Sequence, residues 1–219
     1  MTKPKVCASI VAADIAPVKL IEPIVDMFEV RIDMIGESWI DIARKLKKPW
    51  IATNRMVEEG GKWQGNEARR IEQLLRAVEL GATIVDVECN AKNVDNIISF
   101  IKKRAKCLIS FHDFSKTPSL DYLRKIVEKE LKQGADICKV VTTAKTFDDN
   151  YKVLQLISEF RQQRIVSFAM GAEGMMSRVL APIMGADFTY GAVEKGKESA
   201  PGQLPVEDLQ KIYSMMAPY

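Results

Sequence analysis

One histidine and one lysine carry the clearest chemical signal in this 219-residue chain. His112 is the only histidine, and it follows an apolar, β-branched run over 107–111 that predicts a buried strand. Lys139 lies inside a second run of this kind, over 136–141. An amine among apolar neighbours is costly to keep charged, so burial would favour its neutral form. A neutral amine beside an imidazole that moves protons is the pairing that Schiff-base chemistry requires.

Each of the two residues also has an ordinary structural interpretation. A lone histidine is often structural or solvent-facing, and a lysine in a strand can protect an exposed sheet edge. Both residues lie near the ends of consecutive predicted strands, which favours the chemical interpretation. A cysteine nucleophile is a weaker alternative, because it would need a base and His112 is the only candidate.

The composition is that of an ordinary globular protein and restricts the classes of partner. Apolar residues make up 47% and charged residues 28% of the chain, and the net charge is +3. No basic tract stands out, so we expect no nucleic-acid partner. No apolar run reaches the length of a membrane span, and the chain leads from Met1 directly into a predicted strand. We therefore expect neither a membrane helix nor a signal peptide.

The four cysteines predict buried thiols and not a disulfide framework or a metal site. Each lies in or next to a strand-like run, and none forms a Cys-x-x-Cys pair; they are Cys7, Cys89, Cys107 and Cys138. One histidine is too few for the common zinc patterns. Thiols of this kind behave as small apolar residues in a reducing compartment, so we expect a cytoplasmic protein with no metal.

Eight strand candidates alternate with helical segments along the chain. The strands are predicted at 6–11, 28–32, 50–53, 83–87, 107–111, 137–141, 165–169 and 188–190. Helices with one apolar face are predicted over 66–80, 90–104, 119–133 and 147–160, the last with Tyr151, Leu154 and Ile157 on its buried face. Eight such units predict an α/β fold, a (β/α)8 TIM barrel forming a single catalytic domain over residues 1–219. A doubly wound open sheet is the alternative.

Polar residues gather where a barrel would place its catalytic groups, at and beyond the C-terminal ends of the strands. Alternation in strand two puts Glu29, Arg31 and Asp33 on one face. Such a row is either a self-satisfied ion network or a polar floor that binds hydroxyls, because unpaired buried charges are costly. Asp86 and Glu88 likewise share one face of strand four.

Three connecting segments carry further candidates. Arg55 and Glu59 follow strand three in a loop that ends in a pair of glycines. Arg178 follows strand seven and is predicted to begin a helix, where a solvent-facing arginine would be unremarkable. The segment 191–203 is rich in Gly, Lys and Ser, and its length suits a lid over a site.

These residue types together predict a small, polyhydroxylated keto acid as substrate. Arginine binds a carboxylate through two parallel hydrogen bonds, lysine forms an imine with a ketone, and histidine moves protons near neutral pH. The sequence contains no glycine-rich phosphate loop and no cluster with metal-ligand spacing. We therefore expect no cofactor.

The order and content of these motifs resemble the type I 3-dehydroquinate dehydratase family of the shikimate pathway. The resemblance covers essentially the whole chain, and Ser9 on strand one also fits it. The matching pieces are Glu29-Val-Arg31-Ile-Asp33, Arg55 with Glu59-Gly60-Gly61, Ser110-Phe-His112-Asp113-Phe with Thr117-Pro118, Gly134-Ala-Asp136-Ile-Cys-Lys139, Gly174-Met-Met-Ser177-Arg178 and Ser199-Ala-Pro-Gly-Gln203.

The resemblance implies a cofactor-free lyase, a homodimer in the cytoplasm, that dehydrates 3-dehydroquinate to 3-dehydroshikimate for aromatic amino-acid biosynthesis. Lys139 would form the imine, His112 would act as general acid and base, and Glu59 would position His112. Substrate binding would fall to Ser9, Glu29, Arg31, Arg55, Met170, Arg178, Ser199 and Gln203. Among these, Arg178 would bind the carboxylate and Met170 would pack on the ring.

The chain departs from the family pattern at two places, and two other functions compete with the one implied. The loop between Tyr190 and Ser199 is slightly longer than the pattern and carries extra charges, and the N-terminus is short. A class I aldolase would share the lysine imine, but it would more often need a phosphate cradle. A catalytically silent barrel acting as a binding subunit would have no physical reason to retain both His112 and Lys139.

Overall fold

The computed structural model describes residues 3–92 and 94–216. Eight parallel strands form one sheet in the order β7-β6-β5-β4-β3-β2-β1-β8. They are β1 Val6–Ile10, β2 Met27–Arg31, β3 Trp50–Thr53, β4 Ile84–Glu88, β5 Lys106–His112, β6 Ile137–Thr143, β7 Ile165–Met170 and β8 Thr189–Ala192. Because β1 pairs with both β2 and β8, the sheet curls into a nearly closed barrel. The predicted (β/α)8 TIM barrel is confirmed, and the open sheet is wrong.

Helices connect the strands and cover the outside of the barrel. They are α1 Ala16–Ile21, α2 Ile32–Ile35, α3 Trp39–Ala43, α4 Glu67–Glu79, α5 Val94–Ile101, α6 Leu120–Lys132, α7 Asp149–Glu159, α8 Met175–Leu180 and α9 Val206–Met216. Two of them begin at side-chain caps: Asn66 accepts from the Arg69 amide, and Ser119 accepts from the Tyr122 amide. Within the described residues, no helix has the length and apolar character needed to cross a membrane.

Four details of the predicted elements are wrong. Strand β2 ends at Arg31, so Asp33 lies in α2 and not on the strand. Strand β5 continues through His112, because its ladder to β6 extends that far. The helix predicted over 90–104 is shorter, and Asn93 lies outside the described residues. On α7, Tyr151 is 61% exposed. The apolar residues on the buried face of this helix are instead Val153, Leu154, Leu156 and Ile157.

The interior of the barrel changes from apolar to polar along the strands. Apolar residues fill the end where the strands begin, among them Ile51, Ile84, Leu108 and Ile137. Two positions later on the same strands lie Thr53, Asp86, Ser110 and Lys139, and the two-residue period of a strand directs them to the same interior. A larger apolar cluster between the sheet and the helices forms the rest of the core. The polar end of the interior is therefore the C-terminal end of the strands.

Candidate active site

A cavity opens at the C-terminal ends of the strands, where barrel enzymes carry their active sites. Ten of the eleven residues predicted for the site line it; they are Glu29, Arg31, Arg55, Glu59, His112, Lys139, Met170, Arg178, Ser199 and Gln203. The eleventh, Ser9, is fully buried beneath the cavity and contacts Glu29 and Gln203. The structure thus brings the predicted set together, while the roles of its members stay predictions.

Lys139 lies near the middle of β6 with its side chain almost fully buried. Its Nζ donates a hydrogen bond to Asp86 Oδ2 at 2.9 Å and lies 4.6 Å from the centroid of the Tyr190 ring. The expectation of an amine among apolar neighbours is therefore wrong, because a carboxylate on β4 faces it across the barrel interior. The amine and the carboxylate form an ion pair.

Asp86 connects the lysine to a second cation. Its Oδ1 lies 2.7 Å from Arg55 Nη2 and accepts a hydrogen bond of 2.7 Å from the Ser110 hydroxyl. Burial opposes ionisation of this carboxyl, but the nearby cations Arg55 and Lys139 outweigh it and hold the pKa of Asp86 well below its usual range. Asp86 is therefore a fixed negative charge beside the lysine amine.

His112 is the last residue of β5, so its ring projects from the strand end into the cavity. Its Nδ1 lies 3.2 Å from Glu59 Oε2, and its ring stacks on Phe114 with centroids 5.9 Å apart. Burial, together with the positive charges of Arg55 and Lys139, lowers the pKa of His112 well below its usual value. The imidazole is therefore neutral at neutral pH and is able to accept a proton.

Glu59 ends a single helical turn after β3, and Gly60 follows it in a left-handed conformation with φ of 73°. Burial raises the pKa of Glu59 to about 7; the Arg55 cation opposes this rise, and the Glu88 and Asp86 carboxylates add to it. His112 is neutral at neutral pH and Glu59 is about half ionised near pH 7, so the contact between them is a hydrogen bond in which the ionised form of Glu59 accepts from Nδ1–H. An ion pair is the less accurate description.

Glu29 and its neighbours form the polar floor that the sequence predicted. The carboxylate of Glu29 accepts from the hydroxyls of Ser9 at 2.8 Å and Thr53 at 2.9 Å. Arg31 donates to both carboxylate oxygens of Asp33, at 2.9 and 2.7 Å, although Asp33 belongs to α2. The floor is thus partly a self-satisfied ion network and partly a row of hydroxyls.

Arg178 lies inside α8 and is buried, so the prediction that it begins the helix is wrong, and so is the alternative of a solvent-facing arginine. The helix begins three residues earlier, at Met175, and this turns Arg178 inward. Its Cζ lies 4.3 Å from the centroid of the Phe168 ring, and Nη2 donates to the Pro201 carbonyl at 3.3 Å. Within the described residues no carboxylate pairs with Arg178 and its Nε has no hydrogen-bond partner. Burial alone lowers its pKa to about 9.

The segment 199–203, part of the predicted lid, lies against the mouth of the cavity. Gln203 is 5% exposed. Its Oε1 accepts from the Ser199 amide and hydroxyl at 2.7 and 3.0 Å, and its Nε2 donates to Ser9 Oγ at 3.2 Å. The Pro201 carbonyl also accepts from the Gly171 amide at 3.1 Å. These bonds hold the segment between β1 and the end of β7.

Sequence reasoning did not assign Asp86, Tyr190 or Phe114 to the site. The alternation of β4 already placed Asp86 on a polar face of that strand. A carboxylate in a predicted buried strand was a signal that it would pair with a buried cation such as the predicted lysine. Tyr190 contacts the lysine amine through its ring, and Phe114 stacks on His112. Among residues 3–92 and 94–216, no three acidic, histidine or cysteine side chains converge as metal ligands.

Known proteins resemble this chain over nearly its full length. The family model of type I 3-dehydroquinase matches residues 5–219. The 3-dehydroquinate dehydratase of Dehalococcoides mccartyi is 41% identical over 186 residues, covering 85% of this chain and 84% of that protein. The enzyme of the same name from Methanocaldococcus jannaschii is 39% identical over 197 residues, or 88% of each chain.

A solved structure resembles this chain in fold. The type I 3-dehydroquinate dehydratase from Clostridium difficile superimposes with a TM-score of 0.86 at 24% identity, covering 98% of this chain and 92% of that one. At this identity the likeness supports the barrel architecture. With a family model matched almost end to end and two enzymes near 40% identity, the chain belongs to the type I 3-dehydroquinase family.

Proposed function

We propose that this protein dehydrates 3-dehydroquinate to 3-dehydroshikimate through an imine on Lys139, with His112 as general acid and base. The family and its curated relatives support the dehydration reaction. The observation that carries the mechanism is one cavity lined by a buried lysine, a neutral histidine and a buried arginine with no carboxylate partner in the described chain. These three groups suit a ketone, a mobile proton and a carboxylate.

Only an unprotonated amine attacks a ketone. Lys139 is ion-paired with Asp86, so the reaction begins with the removal of a proton from its ammonium group. His112 lines the same cavity and is neutral, so its free ring nitrogen is the proposed acceptor of the ammonium proton, and loss of that proton removes the Lys139 charge that disfavours a charged imidazole. The amine nitrogen then forms a bond to the carbonyl carbon, and the carbonyl oxygen leaves as water, taking one proton from the amine nitrogen and one from His112, which returns to its neutral form. The resulting iminium is positive, and the fixed negative charge of Asp86 stabilises it.

The elimination uses the iminium as an electron sink. His112 removes a proton from the carbon next to the iminium carbon, and the electron pair moves toward the iminium nitrogen. His112 then donates a proton to the departing hydroxyl, which leaves as water, and a second water hydrolyses the product imine. Glu59 positions the imidazole through Nδ1, which leaves Nε2 for the substrate. Arg178 binds the carboxylate, Met170 packs on the ring, and Ser9, Glu29, Arg31, Arg55, Ser199 and Gln203 hold the remaining oxygens or support those that do.

Borohydride trapping tests the covalent step. The protein is incubated with 3-dehydroquinate and borohydride, and its mass is measured; a substrate-sized adduct on Lys139 is expected. Lys139→Gln should form no adduct, whereas Lys132→Gln, which changes an exposed lysine, should form it normally. An unmodified wild-type protein that also yields no conjugated product absorbing in the ultraviolet would contradict the proposed function.

Replacement of the histidine tests the proton transfers. His112→Ala should still bind substrate but lower turnover by at least about a hundredfold, the usual scale for the loss of an acid–base group. Turnover at the wild-type rate would remove His112 from the mechanism.

A homodimer in the cytoplasm is also part of the proposal. The four thiols are free and buried, as a reducing compartment permits. Light scattering coupled to size-exclusion chromatography measures the mass in solution, and a monomer would contradict the dimer.

A further inference from the structure

Arg70 is a fully buried cation outside the cavity, on the inner face of α4. Its Nε and Nη2 donate to the two carboxylate oxygens of Glu67, each at 2.8 Å. Its Nη1 donates to Glu88 Oε2 at 2.7 Å and to the Asn54 carbonyl at 3.0 Å. A buried cation is tolerated when its donors are satisfied in this way. Because Arg70 does not line the cavity, any effect on substrate must pass through other residues.

Contacts of alternating charge connect Arg70 to the proposed imine-forming lysine. Glu88, at the end of β4, contacts Arg70 with Oε2 and lies 3.0 Å from Arg55 Nη1 with Oε1. Arg55 Nη2 lies 2.7 Å from Asp86 Oδ1, and Asp86 Oδ2 accepts from Lys139 Nζ at 2.9 Å. The order along this chain of charges is cation, anion, cation, anion, cation.

The contact between Glu88 and Arg55 has the distance of an ion pair but not the geometry of a hydrogen bond. Glu88 Oε1 has no hydrogen-bond partner in the described part of the chain, while the same Arg55 Nη1 donates to the Ser110 hydroxyl at 2.9 Å. Arg55 thus directs its hydrogen bonds toward Ser110 and Asp86. It is free to do so because Arg70 already satisfies the other oxygen of Glu88.

We propose that Arg70 is a positioning residue for imine formation, because it holds Glu88 and thereby leaves Arg55 to fix Asp86 against Lys139. Without Arg70, Arg55 would be the remaining cation in contact with Glu88, and it would have to pair with this buried carboxylate. Arg55 would then turn away from Asp86, and Asp86 would no longer fix the lysine amine. The proposal rests on the proposed function of Lys139.

The test measures the single-turnover rate of borohydride trapping with 3-dehydroquinate at saturation, per folded molecule. Arg70→Gln should lower this rate by about tenfold or more, because misplacement of reacting groups by about 1 Å can cost about a hundredfold. Arg76→Gln is the matched control, since it makes the same change at an exposed position of the same helix, and it should trap at the wild-type rate.

The double variant Arg70→Gln, Glu88→Gln separates positioning from a general structural role. It removes the buried carboxylate together with its cation, so Arg55 keeps Asp86 and Ser110 as its partners. We expect its trapping rate to recover to within about threefold of wild type. A merely structural role predicts a double variant at least as slow as the single one.

Several outcomes would overturn the proposal. One is a trapping rate for Arg70→Gln equal to that of Arg76→Gln; another is a double variant as slow as Arg70→Gln. If Arg70→Gln does not fold, Arg70→Lys replaces it, since it keeps the charge but loses the planar fork, and it should be about threefold slower; a wild-type rate would overturn the proposal. Failure of the wild-type protein to form an adduct would contradict the proposed function instead.

Discussion

At the scale of single residues, the cavity combines fixed charges with a carboxyl group, Glu59, that titrates near neutral pH. Asp86, Arg55 and Lys139 satisfy one another. Glu59 and His112 instead share a hydrogen bond while burial works against a charge on either. When Glu59 is ionised it accepts from Nδ1–H and leaves Nε2 as a base, so its titration decides which imidazole nitrogen carries the proton.

The raised pKa of Glu59 predicts a stabilising substitution. The folded state holds the Glu59 proton more tightly than the unfolded chain, whose glutamate titrates near 4.5. The contribution of this bound proton to the free energy of unfolding is therefore fully present below pH 4.5 and is lost as pH rises through about 7. Glu59→Gln should equal wild type in free energy of unfolding at pH 4 and exceed it by about 1 kcal/mol at pH 8, after allowance for solvent screening.

Urea unfolding at the two pH values measures this difference. The control is Glu58→Gln, which changes the exposed neighbouring carboxylate and should show no pH-dependent gain. The same Glu59→Gln variant should lose turnover, because an amide cannot fix the tautomer of His112 as a carboxylate does. A wild type as stable as the variant at pH 8 would contradict the raised pKa.

Arg178 predicts a conflict between stability and binding. A buried guanidinium without a carboxylate partner costs free energy that only the Phe168 ring and the Pro201 carbonyl offset. Arg178→Met should therefore raise the free energy of unfolding by about 1 kcal/mol or more. The same change should raise KM by about tenfold or more, since it removes the cation proposed to bind the substrate carboxylate.

Denaturant unfolding and steady-state kinetics measure the two effects, with Arg161→Met as the control at an exposed arginine. A less stable Arg178→Met protein would contradict the view that this cation is uncompensated until substrate binds.

At the scale of elements, the turn from β7 into α8 decides where Arg178 points. Ser177 accepts from the Ala169 amide at 2.9 Å and donates to the Gly174 carbonyl at 2.7 Å, while its own amide donates to Asn150 Oδ1 at 3.0 Å. These bonds fold the start of α8 tightly against the end of β7. The arginine one position later is directed into the barrel as a result.

Gly174 is the residue that permits this close approach. A Cβ at this position would lie 2.5 Å from the Ala169 carbonyl oxygen, which belongs to the backbone of β7 and cannot move aside as a flexible side chain would. Gly174→Ala should cost about 1 to 3 kcal/mol of stability and should also raise KM, because α8 must shift. Thermal unfolding and kinetics measure both. Glu173→Ala, at the exposed preceding position, is the control; equal behaviour of the two variants would contradict this role of Gly174.

At the scale of the whole molecule, the barrel is closed unevenly between β7 and β8. Among the described residues these two strands share no ladder. At the end where the strands begin, the Asp187 amide donates to the Ile165 carbonyl at 2.8 Å, and Arg164 Nη2 donates to Asp187 Oδ2 at 2.6 Å. At the cavity end, the Pro201 carbonyl bridges to Gly171 and Arg178 instead. The segment 199–203 therefore spans the gap beside the site.

This uneven closure predicts the order of local opening. Backbone amides of β7 and β8 should exchange hydrogen faster than those of β4, β5 and β6, which are paired on both sides. Peptide-resolved hydrogen–deuterium exchange measures the difference, with β5 as the internal reference. Protection of β7 and β8 equal to that of β5 would contradict an opening at this position.

The sequence by itself determined the barrel and the set of residues that meet at one cavity. The apolar, β-branched runs and the helical segments between them are local signals, so they specified eight units and put His112 and Lys139 near the ends of neighbouring strands. The motifs from Glu29 to Gln203 then identified the residues that line one cavity. The alternation of segments and the order of the motifs are both properties of the sequence alone.

Only the tertiary structure decided the electrostatic partners within the site. The pairing of Lys139 with Asp86 and the inward turn of Arg178 depend on distances across the barrel and on where α8 begins. The contact of Arg70 with Glu88 likewise joins a helix to the end of a strand. Interactions between charges depend on separation and burial in space, and neither quantity is fixed by the local pattern of residues.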